Sequence, residues 1–153
     1  MSHDDGDVVP EADQLCLDIL AGTAVPTASQ CTKTKGYNEL NPTHLCFISS
    51  VRRRLEYGPR PDVVLLCTSP GTDPALARAY YARLIMSNTV PDIPEASFPS
   101  APPYSICYPD IASEDTYRAV AKRYPGLRYQ VGRACAVAGY ATLYEELDLL
   151  PDV

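Results

Sequence analysis

The fifteen prolines of this chain limit how long any regular element can run. Most of them fall between the apolar segments. Six lie in the stretch 88–110, at Pro91, Pro94, Pro99, Pro102, Pro103 and Pro109. Because proline lacks the backbone N–H and clashes with a preceding helical turn, it stops helices. The sequence therefore predicts short helices joined by stiff loops, with 88–110 as a long extended connection.

Hydrophobic spacing and capping residues predict that the fold is mainly helical. Apolar residues recur at helical spacing from Glu11 to Gly22, and Asn41-Pro42 and Asp73-Pro74 each combine a capping residue with a proline suited to the first helical turn. The predicted helices include 74–86, 113–124, 128–138 and 141–150, the last two divided by Gly139. The apolar run 62–67 is compatible with a buried strand or a buried helix, because six residues are too few to distinguish the two periods.

Length and composition favour one domain. The 153 residues are 46% hydrophobic, enough for one ordinary core, which we assign to residues 11–153. Residues 1–10 are acidic and without periodicity, and we expect them to be disordered. The longest strongly apolar run, 63–67, is far too short to cross a bilayer, and the acidic start does not resemble a secretory signal. We therefore expect a protein of the cytoplasm or the nucleus that does not bind membranes.

The charge and the cysteines exclude further classes of function. A net charge of -6 opposes attraction to a phosphate backbone, so nucleic acid is not an expected ligand. The six cysteines of a chain that is not exported should be reduced thiols with apolar neighbours. A zinc site can be imagined around His44 and Cys46, but the paired spacings of zinc ligands are missing. A cysteine nucleophile would have only His3 or His44 as its base.

Two segments resemble the ankyrin repeat. Residues 41–46 read Asn-Pro-Thr-His-Leu-Cys and are similar to the Thr-Pro-Leu-His-Leu-Ala box that opens the family's first helix. Asp62-Val63-Val64 with Leu66 matches the acidic-Val-Val-x-Leu positions of the second helix, and 71–73 resembles its Gly-Ala-Asp turn. Residues 136–140 are similar to the Ala-x-x-Gly-His turn of a second repeat, whose Pro-His box is missing here, with Arg133 where the His of that box would fall. The closest resemblance is to ankyrin-like proteins of filamentous fungi.

This sequence also departs from the ankyrin pattern. The stretch 50–60 is roughly nine residues longer than the family's turn between its two helices. The resemblance nevertheless implies an all-α fold, a short solenoid-like array of ankyrin-type helix hairpins. It also implies that His44 bonds loop backbone at the start of a helix.

The function that the resemblance implies is a non-catalytic scaffold that binds another protein and needs no cofactor. Exposed Tyr and Arg are enriched in binding hot spots, so the expected contact residues are Tyr37, Asn38, Arg52, Arg53 and Arg54. The three consecutive arginines are equally typical of a solvated helix end, where cations suit the negative pole of the helix dipole.

A small α/β enzyme or nucleotide-binding protein is the alternative. In that interpretation Val63–Leu66 is a strand, the turn Ser69–Thr72 holds a phosphate, and the helix after Asp73 directs its positive end toward the anion. One glycine in the turn is fewer than phosphate-binding loops carry, and the carboxylate of Asp73 would repel a phosphate.

Overall fold

The computed structural model describes residues 9–36, 39–98, 102–103 and 105–150. Within these ranges the chain forms seven α-helices: α1 (Glu11–Ala21), α2 (Pro42–Arg53), α3 (Pro61–Thr68), α4 (Pro74–Met86), α5 (Glu114–Arg123), α6 (Arg128–Ala138) and α7 (Ala141–Glu146). Short 3-10 turns occupy Glu95–Ser97 and Pro125–Leu127. The β pairing in the described residues is an isolated antiparallel bridge between Thr34 and Leu40. The predicted all-α class is therefore confirmed for this part of the chain.

The helix boundaries follow the capping signals in the sequence. The side-chain oxygens of Asn41, Asp73 and Ser113 accept hydrogen bonds from backbone N–H groups in the first turns of α2, α4 and α5. Such caps satisfy donors that have no partner inside the helix. The helices α4 and α6 have the predicted bounds 74–86 and 128–138. The predicted helix 141–150 is shorter, because α7 ends at Glu146 and Asp148 has a positive φ of 47°.

The run 62–67, for which the sequence left strand and helix open, belongs to helix α3. Its apolar side chains lie on more than one side of the helix. Val63, Leu66 and Cys67 are buried, whereas Leu65 is exposed. No strand is formed at 63–66, so the α/β alternative was wrong on this point.

The main helix contacts join helices that are adjacent in the chain, except that α2 packs on α4 and has little contact with α3, its partner in the helix pair that the ankyrin resemblance implies. They pair α1 with α2, α2 with α4, α3 with α4, α4 with α5, α5 with α6, and α6 with α7. Two large core clusters result, and a third, small one pairs Tyr81 of α4 with Ile93. One of the large clusters packs residues of α1, α2 and α3 against Leu76 and Ala79 of α4, and the other packs α5, α6 and α7 against Ala82, Ile85 and Met86 of the same helix. Helix α4 therefore connects the two halves.

The proline-rich connection is held against the helices where the structure describes it. The hydroxyl of Tyr124 accepts a hydrogen bond from Ile93 N at 2.9 Å and donates to Pro91 O at 2.7 Å. The ring of Phe98 stacks on that of Tyr124 with centroids 5.3 Å apart. Backbone groups that proline-rich sequence cannot pair within itself thus find a side-chain partner.

No helix in the described residues is long and apolar enough to cross a membrane.

Candidate protein-binding surfaces

Of the five predicted contact residues, Tyr37 and Asn38 lie outside the described residues. The other three, Arg52, Arg53 and Arg54, come at the C-terminal end of α2 and extend to different neighbours. The structure therefore does not bring them together as one flat basic patch. Their role in binding a partner stays a prediction.

Arg52 is partly buried and contacts the segment that leads into α5. Its Nη2 donates to Ser105 O at 3.4 Å and to Tyr108 O at 3.3 Å, whereas its buried Nε has no hydrogen-bond partner among the described residues. Burial, together with the neighbouring charge of Arg53, lowers the pKa of Arg52. The guanidinium of Arg52 therefore holds the segment before α5 against α2, and little of it is free to contact a ligand.

Arg53 and Arg54 are exposed. The guanidinium of Arg53 lies over the ring of Tyr108, 5.6 Å from the ring centroid, a cation–π arrangement. Arg54 Nε donates to Leu20 O at 2.7 Å in the last turn of α1. The last carbonyls of a helix have no intrahelical partner, and this bond satisfies one of those of α1. It also places the positive charge of Arg54 at the negative end of the α1 dipole.

A basic groove of about 600 Å³ runs beside these two arginines, between the end of α1 and the chain that follows α2. We call it the Arg53 groove, and it is lined by Ala21, Gly22, Arg53, Arg54, Leu55, Glu56, Tyr57 and Arg60. Arg60 bonds Asp62 at 3.0 Å, and these hydrogen bonds lower the pKa of that carboxyl. Leu55 is exposed on the groove's edge. The groove thus combines three cations, one of them paired with Asp62, with the carboxylate of Glu56 and the apolar side chain of Leu55.

His44 and the cysteines have structural roles in the described residues. His44 Nδ1 is 2.9 Å from Cys31 O, so the predicted bond to the loop backbone is confirmed. The described residues hold no group of three His, Cys, Asp or Glu side chains that could bind a metal ion. All six cysteines are free thiols. Burial raises the pKa of both Cys31 and Cys67 to about 12, so these two thiols stay protonated and poorly nucleophilic at neutral pH.

The two hydroxyl groups of the turn Ser69–Thr72 are bonded to backbone oxygens of the turn and of the end of α3. Ser69 Oγ donates to Leu65 O, and Thr72 Oγ donates to Ser69 O at 2.7 Å. The carboxylate of Asp73 is the cap of α4 and accepts from Ala75 N at 2.9 Å. A phosphate at this helix start would therefore have to displace a carboxylate that already occupies the position.

A second surface, which the sequence reasoning missed, lies on the outer side of α6 and α7. We call it the C-terminal face. Its exposed large side chains are Tyr129, Arg133, Val137, Tyr144 and Leu150. Leu143 and Leu147 of the same segment are buried, whereas Tyr144 and Leu150 are exposed. Tyr129, Arg133 and Val137 are four residues apart and therefore lie on one face of α6, but this spacing does not say whether the face is exposed.

Residues 107–153 match the model of a family described as the YKP1 C-terminal domain. The match covers less than half of the chain and includes α5, α6 and α7, hence the C-terminal face. No curated protein and no solved structure matches the chain.

Proposed function

We propose that this protein is a non-catalytic interaction module of ankyrin-repeat type, with another protein as its ligand. The observation that carries the proposal is the packing of helices against near neighbours along the chain. In a solenoid each unit contacts only adjacent units, and the resulting extended surface is what such proteins use for binding. The proposal includes no cofactor and a partner in the cytoplasm or nucleus.

The start of α2 supports the ankyrin-type arrangement. Asn41 Oδ1 accepts from Thr43 N at 3.1 Å, and Asn41 Nδ2 donates to the backbone oxygens of Gln30 and Thr32, each at 2.8 Å. Together with the contact between His44 and Cys31, these bonds hold the loop before α2 against the start of the helix. This is the role that the resemblance implies for a Pro-His box.

The Arg53 groove is the surface at which the proposal expects a partner. Arg53 and Arg54 keep their charges exposed, and Leu55 adds apolar area beside them. Arginines next to apolar side chains are enriched among residues that dominate binding energy.

The test begins with proximity labelling in cells to nominate partners, followed by calorimetry with each purified candidate. We expect at least one to bind the full chain and to raise its melting temperature, since a ligand selective for the folded state stabilises it. Arg53→Glu should weaken that binding about tenfold or more, while the melting temperature falls by no more than about 3 °C. Lys122→Glu, which reverses an exposed cation at the end of α5, is the matched control.

Two results would overturn the interaction module. One is that no purified candidate binds. The other is that a nucleotide raises the melting temperature of the wild-type chain and that Gly71→Val abolishes this effect, as the phosphate-binding alternative requires.

A further inference from the structure

The C-terminal face concentrates apolar area that the fold leaves uncovered. Leu150 is 76% exposed, and Tyr129 and Tyr144, which line one cavity with it, are each about half exposed. Val137 of α6 is 62% exposed. Single exposed apolar residues need no explanation, but a contiguous group edged by polar residues is typical of an interaction site. Tyrosine and arginine are also the residues most enriched in such sites.

Helix α6 carries positive charge that no acidic residue of its own balances. The helix carries Arg128 and Arg133 and no acidic residue. Neither guanidinium bonds or pairs with any residue that the structure describes, whereas every other arginine of the chain takes part in a hydrogen bond, ion pair, ring contact or other electrostatic interaction. Acidic side chains follow on the neighbouring segment at Glu145, Glu146 and Asp148, and Glu146 is already paired with Arg118, so the positive charge of this surface is confined to the arginines of α6 themselves.

A small cavity lies at the centre of this face. Its volume is about 270 Å³, and it is lined by Tyr129, Gly132, Arg133, Ala136, Tyr144, Leu149 and Leu150. Gly132 makes the cavity's floor possible, because a Cβ there would lie 2.2 Å from Leu149 Cδ1. Arg133 is the one charged side chain among these lining residues. The cavity can therefore take one large apolar side chain beside a single cation.

We infer that the C-terminal face binds an acidic segment of a partner protein, with one large apolar side chain of that segment inserted in the cavity. A carboxylate beside the apolar side chain would pair with Arg133, and Tyr129 and Tyr144 would cover the anchor. A basic side chain at this position would meet the like charge of Arg133, and a purely apolar segment would leave Arg133 uncompensated. This inference rests on the proposed function, because it takes the ligand to be a protein.

A library of random twelve-residue peptides displayed on phage tests it with the full chain as bait. We expect the enriched peptides to carry Asp or Glu next to Leu, Phe or Trp. The strongest is then synthesised with a fluorophore, and its affinity is measured by anisotropy. Arg133→Glu and Tyr144→Ala should each weaken binding about tenfold or more, and binding should weaken as salt is raised.

Three controls keep the result specific. Lys122→Glu reverses an exposed cation outside the face and should change the affinity less than about twofold, the same limit that we expect for Arg53→Glu. The melting temperature of each variant is measured, so that a loss of binding is not a loss of folding. Sedimentation of the free chain checks for self-association.

The inference is overturned if no peptide is enriched, or if the enriched peptides bind Arg133→Glu as tightly as the wild-type chain. Peptides that respond to Arg53→Glu alone would also overturn it, but would leave the proposed function intact at the Arg53 groove. A dimer that Tyr144→Ala dissociates would identify a second copy of the chain as the occupant, and would contradict an acidic partner segment.

Discussion

Arg83 and Asp110 form an ion pair, with Arg83 Nη1 2.8 Å from Asp110 Oδ2, although the arginine side chain is 1% exposed and the aspartate side chain 43%. The same Nη1 donates to Arg52 O at 2.8 Å, and Arg83 Nε donates to Ser87 Oγ at 3.0 Å. A buried cation on α4 therefore joins the end of α2 to the segment before α5. This contact spans the two halves of the core.

We expect Asp110→Asn to destabilise the fold by about 1–3 kcal/mol, because a buried guanidinium would lose its counter-charge. The partial exposure of Asp110 admits water and keeps the loss below that of a fully buried pair. Urea denaturation measures it. Asp115→Asn is the control, because Asp115 is 96% exposed in its pair with Arg118 and its loss should cost less than about 1 kcal/mol. Equal losses in the two variants would contradict a structural role for the Arg83 pair.

Gly58 leaves space for the same arginine. A Cβ at this position would lie 2.9 Å from Arg83 Cγ and 3.3 Å from Val51 O. Because Arg83 is fixed by three partners and Val51 O is backbone, neither neighbour can withdraw easily. Gly58→Ala should therefore cost about 1–3 kcal/mol, as overpacking does.

Gly126→Ala is the matched variant for Gly58→Ala. Its Cβ would lie 3.2 Å from the edge of the Phe98 ring, a side chain that is only half-buried and can shift. A smaller loss of unfolding free energy is expected, and a loss as large as that of Gly58→Ala would show that Arg83 is not the obstacle.

The local part of the fold could be predicted from sequence, and the long-range part could not. Asn41, Asp73 and Ser113 define helix starts because a cap acts on backbone within three residues of itself. The run 62–67 stayed open because its apolar residues fit a strand and a helix equally. Whether these residues form a helix or a strand depends on how they pack against the rest of the chain.

The candidate contact surface could also be predicted from the sequence only in part. The cluster Arg52 to Arg54 was visible in the sequence, but nothing local reveals that Arg52 reaches the carbonyls of Ser105 and Tyr108, more than fifty residues later. The exposed face of α6 was missed for a related reason. Which side of α6 is covered depends on α5 and α7 packing against it, and not on α6 alone.

Tyr117 is fully buried and satisfies two backbone groups. Its hydroxyl donates to Ile106 O at 2.8 Å and accepts from Ala112 N at 3.1 Å. Tyr117→Phe leaves both groups without this partner, so we expect a loss of about 1–3 kcal/mol in urea denaturation. The exposed Tyr129, altered to Phe, should lose less than about 0.5 kcal/mol. An unchanged free energy of unfolding for Tyr117→Phe would mean that water takes over the hydrogen bonds of the hydroxyl.

The stability of the fold should decrease at alkaline pH. Burial raises the pKa of Cys31 and Cys67 from 9.0 to about 12, and burial raises that of Tyr117 from 10.0 to about 12. Between these values the unfolded chain has released protons that the folded chain still holds, so unfolding is favoured as pH rises. The stability contributed by these groups is complete below pH 9 and is lost between about pH 9 and 12.

Urea denaturation at pH 7.5, 9.5 and 10.5 measures this loss. Cys67→Ala should make the decrease with pH shallower, because it removes one of the groups, even though it lowers stability at pH 7.5. A free energy of unfolding that stays constant from pH 7.5 to 10.5 would contradict protonated, buried thiols.

Gly139 ends α6 with a φ of 77°, in the left-handed region, and nothing lies within 4 Å of the position that a Cβ would take. Any cost of a substitution here is therefore backbone strain and not a clash. Gly139→Val should destabilise the fold by about 1–3 kcal/mol, because a β-branched residue is strongly disfavoured at positive φ. Gly139→Asn should cost less, since asparagine tolerates this conformation. Equal melting temperatures for the two variants would show that the end of α6 shifts out of the left-handed conformation.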